Sequence, residues 1–413
     1  MKLLFTVMDG ASGSNNPDLD NKTSLEAANT PALSQLAKNS KMGLMSVVPG
    51  IAPESDSAVL SLLGYDPNKY YTGRGPLEAI GAGMDFKDGD LALRCNFATV
   101  DNKKIIDRRV GRSLKTKEAK ALQKIINKRV KLSGAKFEFR ATLGHRGALI
   151  IRSSNELYPN ITYTDPAYDK KGFVSMAKKD FEPLVKESVA LDKKSELSAH
   201  LVNEFSEKTT AVLDECRINR TRQKKGLFKA NAVLMRDAGN ENPKLFNINE
   251  RYGVKWAILA NMPLERGIAG AAGMDVIKIN DEKNYDEWVN KTIKAMKKYD
   301  CLYIHLKGPD EPGHDGDALR KKLTIEEIDN KFYSRLIENI DLNDTIVVVT
   351  SDHCTPCSMK AHSSDPVALM ISHPRLKDSY PGFDEKICKK GNIFLNKGTD
   401  LMPLLMEIFK ESV

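Results

Sequence analysis

Short apolar runs alternate with longer amphipathic stretches over most of this chain. Lys2-Leu-Leu-Phe-Thr-Val-Met8, Trp256–Ala260, Cys301–Leu306, Ile346–Thr350 and Val367–Ile371 have the length and content of buried strands. Asp286–Lys298, Ile325–Ile340 and the tail from Leu401 carry helical spacing. After a Gly/Ser/Asn-rich loop, Thr30-Pro31 offers an N-cap followed by proline at the first helical position. Leu33, Leu36 and Ala37 then form the apolar stripe of a helix expected to end near Gly43. Strand and helix in regular alternation predict an α/β fold.

The middle of the chain breaks this rhythm. Between Arg94-Cys-Asn-Phe-Ala-Thr99 and about Lys225, alternating stretches such as Lys136-Phe-Glu-Phe-Arg-Ala-Thr142 and Ala148-Leu-Ile-Ile-Arg152 sit beside Lys-rich helical segments. This pattern predicts an inserted α+β domain over 96–227, with a core domain assembled from 1–95 and 228–413. A chain of 413 residues is long enough for both.

Composition narrows the function classes. Hydrophobic residues make up 41% and charged residues 29%, ordinary values for a globular enzyme. The net charge of +8 comes from scattered Lys pairs without interleaved aromatics, which argues against a nucleic-acid partner. Met1–Met8 is too short for a signal sequence and no stretch reaches membrane-spanning length, so a cytoplasmic protein without a membrane partner is expected. Six dispersed cysteines fit reduced thiols. Cys354-Thr-Pro-Cys357 has no second pair or thioredoxin-like context, and reads as incidental thiols beside a functional loop.

Candidate chemistry gathers where strands end. The first strand runs into Asp9-Gly10, Cys301–Leu306 leads to Asp310-Glu-Pro-Gly-His314, and Ile346–Thr350 leads to Asp352-His353. His362 stands just before the Val367 strand. In open α/β sheets ligands bind beyond the carboxyl ends of the strands, so these carboxylates and imidazoles are placed for a two-metal phosphoryl-transfer site. Nitrogen and oxygen ligands without a thiolate set suit manganese or zinc. The four-residue spacing of Asp310 and His314 would align them on a helix, but Pro309, Pro312 and Gly313 point to a rigid loop. Ser55 opens an apolar helical pattern that stops at Gly64; there it is either a nucleophile at an anion-favouring helix N-terminus or, like Ser57, simply a cap. Arg74, the Arg108/Arg109/Arg112 turn and Arg236 are candidate clamps for an anionic substrate.

Nearly end to end, the chain resembles the archaeal-type cofactor-independent phosphoglycerate mutases of the alkaline phosphatase superfamily. The resemblance rests on Asp9-Gly10, Thr23–Pro31, Gly64–Pro67, Tyr71–Ala79, Arg94–Thr99, Asp107–Arg109, Thr164–Pro166, His305–Asp315 and Ser351–His353. It implies an alkaline-phosphatase-like core sheet flanked by helices, an inserted domain covering the substrate, and two divalent ions (Mn2+ or Zn2+, with Mg2+ or Co2+ as further candidates). Asp310, His314 and His362 look like the ligands of one ion. Asp9, Asp352, His353 and Ser55 look like those of the other. Ser55 resembles the serine that is transiently phosphorylated while 3-phosphoglycerate and 2-phosphoglycerate interconvert without 2,3-bisphosphoglycerate, a reaction of glycolysis and gluconeogenesis. Arg109, Arg112 and Arg236 would hold carboxylate or phosphate. The chain departs from the family at Val59, often histidine there, and at Gly10-Ala-Ser-Gly13. A metal-dependent phosphomonoester hydrolase on the same fold is the runner-up, and a catalytically silent metal-binding protein is the third reading.

Overall fold

In the computed structural model, residues 1–171, 174–178 and 180–412 are described. The chain divides into two compact units: Met1–Tyr70 with Leu245–Asn261 and Ile268–Val413, and Tyr71–Lys244 with Met262–Gly267.

The first unit is built on an eight-stranded sheet in the order Asp275–Lys278, Trp256–Ala260, Cys301–Leu306, Lys2–Met8, Thr345–Thr350, Val367–Ser372, Ser40–Met45, Ile393–Leu395. All neighbours pair in parallel except along Val367–Ser372, which runs antiparallel to the strands on both sides. The strands read as unbroken apolar runs because both faces are covered. Leu4, Met8, Leu302, Ile304, Val347 and Val349 pack against Leu33, Leu36, Trp288 and Ile328, while the alternate positions Leu3, Phe5 and Val7 are also fully buried.

Three local expectations differ from what is found. The Pro31–Ala37 helix stops before Gly43, which lies within the Ser40–Met45 strand. A Cβ at Gly43 would overlap the carbonyl of Ile393, so glycine is needed for the close approach of the edge strand and not to end a helix. Thr30 occupies the N-cap position without making a capping bond; buried Asp329 accepts from Ala32 N at 3.1 Å and Leu33 N at 2.8 Å instead. The stretch expected as one helix over Ile325–Ile340 is a helix over Ala318–Ile328, a π-helical turn over Asp329–Ser334 and a short helix over Arg335–Ile337. That turn presents Asp329 to the helix it caps.

The second unit is α+β. Its long strand Leu91–Asp101 pairs antiparallel with Arg146–Ser153 and Ala232–Gly239, and Ala135–Ala141 extends the sheet. Leu91, Leu93, Cys95 and Phe97 face the helices Thr116–Arg129 and Glu196–Asp214 through Leu122, Ile126, Val202 and Phe205. The alternate positions Ala92, Arg94 and Asn96 point to the other face. Ala79, on the Arg74–Gly81 helix, packs there against Ala92, Ala148 and Ile150. Pairing begins at Leu91 and the helix before it packs on the same sheet, so this unit extends beyond the 96–227 span expected from sequence at both ends.

Candidate active site at the carboxyl edge of the sheet

Sheet order brings the sequence candidates of the first unit together. Cys301–Leu306, Lys2–Met8 and Thr345–Thr350 are adjacent parallel strands, so the residues that follow them leave from one edge. Asp9, Asp310, Asp352 and His353 all do so. The antiparallel strand Val367–Ser372 begins where its neighbours end, which brings His362 to this edge from the opposite chain direction. Ser40–Met45 also finishes there, with Met45 opposite Val367, and leads toward Ser55.

The segment expected as a rigid loop, Asp310–Asp315, is a short helix. Pro312 falls in its first turn, where backbone N–H groups have no intrahelical partner to lose, and Gly316 closes it in a left-handed conformation with φ of 80°. The spacing of four therefore does align Asp310 and His314 on one face.

Two groups that could hold a metal ion result: Asp310, His314 and His362, and Asp9, Asp352 and His353. Within each, the donor atoms lie within 4.8 Å of one another. His314 and His362 face each other with Nε2 atoms 3.1 Å apart. The Nδ1 atom of His314 lies 3.1 Å from the carbonyl of Lys360, and that of His362 lies 2.8 Å from the carbonyl of Pro53. A carbonyl can only accept, so each Nδ1 carries a proton and each Nε2 is turned toward the other ring and Asp310. His362 resists protonation through burial, yet the carboxylates of Glu54 and Asp310 push its pKa up to about 10. Asp310 Oδ1 lies 3.3 Å from His362 Nε2 and 3.5 Å from His314 Nε2.

In the second cluster, His353 Nε2 is 3.4 Å from Asp9 Oδ1 and 3.3 Å from Asp352 Oδ2. All three atoms are buried and make no hydrogen bond among the described residues, although His305 Nε2 lies 3.5 Å from Asp352 Oδ2. Buried polar atoms are rarely left unpaired, and three of them converging on one point is the donor set a divalent metal ion requires. Lys307 sets an ammonium 2.9 Å from Asp9 Oδ2; against burial, which would raise it, this charge holds the Asp9 pKa well below the carboxylate range. The clusters adjoin, for the rings of His353 and His362 stack with centroids 3.7 Å apart. Gly10, with φ of +61°, donates to Asp352 Oδ1 at 3.0 Å. A Cβ there would come within 2.6 Å of Thr355 Oγ1 and 2.9 Å of Asp310 Cβ, so only glycine admits this packing.

Ser55 is the first residue of the Ser55–Leu62 helix. The N-cap is Glu54, which makes no side-chain capping bond, so Ser55 is not the cap; Ser57 donates to Glu54 O at 3.1 Å. His362 contacts the approach to Ser55 through the Pro53 carbonyl and lies 3.9 Å from Glu54 Oε1. Val59, on the same helix, is fully buried.

The candidate arginines belong to the second unit, and three are matched to carboxylates. Arg74 Nε lies 3.1 Å from Glu78. Arg108 holds Asp165 bidentately at 2.9 and 2.7 Å, and Arg236 lies 3.1 Å from Asp237 and 3.5 Å from Asp165 with its guanidinium 3.6 Å from the Tyr168 ring centre. Arg108, Arg109 and Arg112 line a cavity of about 530 Å³ with Ile105, Ile106, Phe181 and Pro183. Burial, followed by the charges of Arg146, Arg109, Arg94 and Arg112, pushes the His145 pKa down to about 2.

A sequence profile described as 2,3-bisphosphoglycerate-independent phosphoglycerate mutase matches residues 37–219. The Aeropyrum pernix protein of that name is 44% identical over 95% of this chain and 96% of its own length, and one from Archaeoglobus fulgidus is 38% identical over 99% and 98%. The chain belongs to the 2,3-bisphosphoglycerate-independent phosphoglycerate mutase family. Among solved structures, the cofactor-independent phosphoglycerate mutase of Thermoplasma acidophilum is 28% identical with a TM-score of 0.63, covering 99% of this chain and 100% of its own. A Pyrococcus horikoshii protein, also 28% identical, gives a TM-score of 0.79 over 100% and 98%. As a member of this mutase family, the chain is an enzyme of the isomerase class.

Sequence reading passed over His305, Lys307 and Thr355. His305 is the penultimate residue of the buried Cys301–Leu306 strand and Lys307 follows that strand, so an imidazole and an ammonium near a strand terminus were the available signal. Thr355 carried none, since a hydroxyl in a loop resembles any other. The Cys354 and Cys357 thiols are buried and free, with burial raising the pKa of both. Among the described residues no helix is long and apolar enough to cross a membrane.

Proposed function

We propose that this chain interconverts 3-phosphoglycerate and 2-phosphoglycerate, without 2,3-bisphosphoglycerate, through a phosphoserine at Ser55. The observation that carries the reading is the pair of adjoining ligand clusters with orphaned buried donor atoms, close to a serine that opens a helix, in a chain of this family. Asp310, His314 and His362 would hold one divalent ion, and Asp9, Asp352, His353 and Ser55 the other; the nitrogen and oxygen donors favour Mn2+ or Zn2+. When bound, such ions neutralise phosphate charge and lower the pKa of a ligated hydroxyl.

The chain's own residues supply the rest. The Ser55 hydroxyl attacks phosphorus, the bond to the glycerate 3-oxygen breaks, and that oxygen takes up a proton. Backbone N–H groups of the first helical turn favour the phosphate on Ser55. Arg109, Arg112 and Arg236, with Arg74 and Arg108 in support, hold the anionic groups of glycerate so that it is retained and turns. The 2-hydroxyl then attacks the phosphoserine, and Ser55 leaves with a proton. Retention of glycerate and exclusion of water from this intermediate distinguish the reaction from hydrolysis. A cytoplasmic role in glycolysis and gluconeogenesis accords with this reaction.

The test is enolase-coupled formation of 2-phosphoglycerate from 3-phosphoglycerate with Mn2+ and without 2,3-bisphosphoglycerate, measured beside release of inorganic phosphate. Isomerisation well in excess of phosphate release is expected. Phosphate and glycerate as the main products would identify a phosphomonoester hydrolase instead.

A further inference from the structure

Thr355 is fully buried and stands between the two ligand clusters. Its Oγ1 lies 2.8 Å from Asp310 Oδ1, in the first cluster, and 3.0 Å from His353 Nδ1, in the second. A threonine hydroxyl has one hydrogen to give, and an ionised carboxylate can only accept. The hydrogen therefore goes to Asp310, and His353 must donate its Nδ1–H to the threonine oxygen. For the neutral imidazole that binds a metal ion this fixes the tautomer: Nε2, 3.4 Å from Asp9 Oδ1 and 3.3 Å from Asp352 Oδ2, keeps its lone pair for the ion. The backbone of Thr355 is held on both sides, for its N–H donates to Ser12 O at 3.0 Å and its carbonyl accepts from Lys321 Nζ at 2.8 Å. The hydroxyl is thus presented from a fixed position, in a space so tight that a Cβ on Gly10 would reach within 2.6 Å of it.

We infer that Thr355 is a positioning residue that couples the two clusters, holding Asp310 in orientation and His353 in its metal-binding tautomer, and that it thereby sets the affinity of both sites for divalent cations. The inference rests on the reading of the clusters as metal sites, and not on the mutase reaction. Groups that orient metal ligands through hydrogen bonds typically change metal affinity about 10- to 100-fold when removed. Valine at 355 would keep the shape and place a methyl group where the hydroxyl was, leaving His353 Nδ1 and Asp310 Oδ1 without this partner. Serine would restore it.

The full-length chain, stripped with EDTA, is titrated calorimetrically with Mn2+ in the absence of substrate. For Thr355→Val, both dissociation constants are expected to rise about 10-fold or more, while Thr355→Ser stays close to wild type. Should the valine variant not fold, Thr355→Ala carries the same expectation. Wild-type affinity in the valine or alanine variant would overturn the inference. So would weakening confined to one of the two ions, or a serine variant as weak as valine. A wild-type chain that took up no Mn2+ would overturn it together with the cluster assignment. Normal Mn2+ uptake without isomerisation would sink the mutase reading alone and leave the role of Thr355 decided by the titration.

Discussion

Lys321 offers a perturbation whose magnitude can be worked from the structure. It is 1% exposed, on the Ala318–Ile328 helix, and its ammonium donates to Ser12 O at 3.0 Å and Thr355 O at 2.8 Å. It therefore ties the loop after Asp9 to the loop after His353. Lys321→Met keeps the length of the side chain and removes the donor. Ser12 O would retain the Thr355 N–H at 3.0 Å, so the loss there is one charge-assisted bond, about 1.5–3 kcal/mol. Thr355 O would lose its ammonium donor inside the protein, at a cost of about 1–3 kcal/mol. Part of this is offset because methionine need not be desolvated as a charge, and burial already pushes the Lys321 pKa down. A net destabilisation of about 2–4 kcal/mol is expected. Both tryptophans, Trp256 and Trp288, lie in the first unit, so their fluorescence during urea unfolding of the metal-stripped chain reports that unit. Mn2+ affinity should fall in parallel. Stability within about 0.5 kcal/mol of wild type, with unchanged Mn2+ affinity, would refute the view of Lys321 as a clamp beneath the site, since surface-like changes stay within that range.

Other perturbations separate the parts of the account. Gly10→Ala should lose Mn2+ binding and cost about 1–3 kcal/mol in backbone strain alone, because φ is +61° and the new Cβ meets Thr355 and Asp310; a wild-type metal titration would contradict this. EDTA should abolish turnover and Mn2+ or Zn2+ should restore it, while turnover that persists after complete metal removal would count against the cluster assignment. His145, held neutral down to about pH 2 by burial and neighbouring arginines, gains a proton near its ordinary pKa of 6.5 only when the chain unfolds. Its contribution to stability is thus full above pH 6.5 and falls as the pH drops toward 2. His145→Gln should flatten the decline in Tm between pH 6.5 and 4, followed by far-ultraviolet circular dichroism; an unchanged slope would refute the assignment.

The strands that build the site were legible because strands covered on both faces leave unbroken apolar runs, and Trp256–Ala260 and Cys301–Leu306 have the bounds read from sequence. Asp9, Asp310, Asp352 and His353 were legible through position, since sheet topology sends every strand terminus of one direction to a common edge. Less was visible where partners are remote in the chain. Asp329 caps a helix some three hundred residues away, and no local pattern signals that Thr30 would go without its bond. The same applies to Arg108 and Arg236, for meeting Asp165 depends on how a second sheet folds. The short helix at Asp310–Asp315 was obscured because Pro312 breaks helices in their interiors but is tolerated in a first turn. Thr355 and Lys321 act through a single hydroxyl and a single ammonium, features common to many surface residues.

The central claim is that Ser55 carries the phosphate between the two hydroxyl groups of glycerate. The most direct measurement is to mix the Mn2+-loaded chain with 3-phosphoglycerate labelled in its phosphate, quench in acid and map the labelled peptide by mass spectrometry. Label on Ser55 in wild type, with none in Ser55→Ala, is the expected result. Label on another residue, or undiminished isomerisation by Ser55→Ala, would contradict the account.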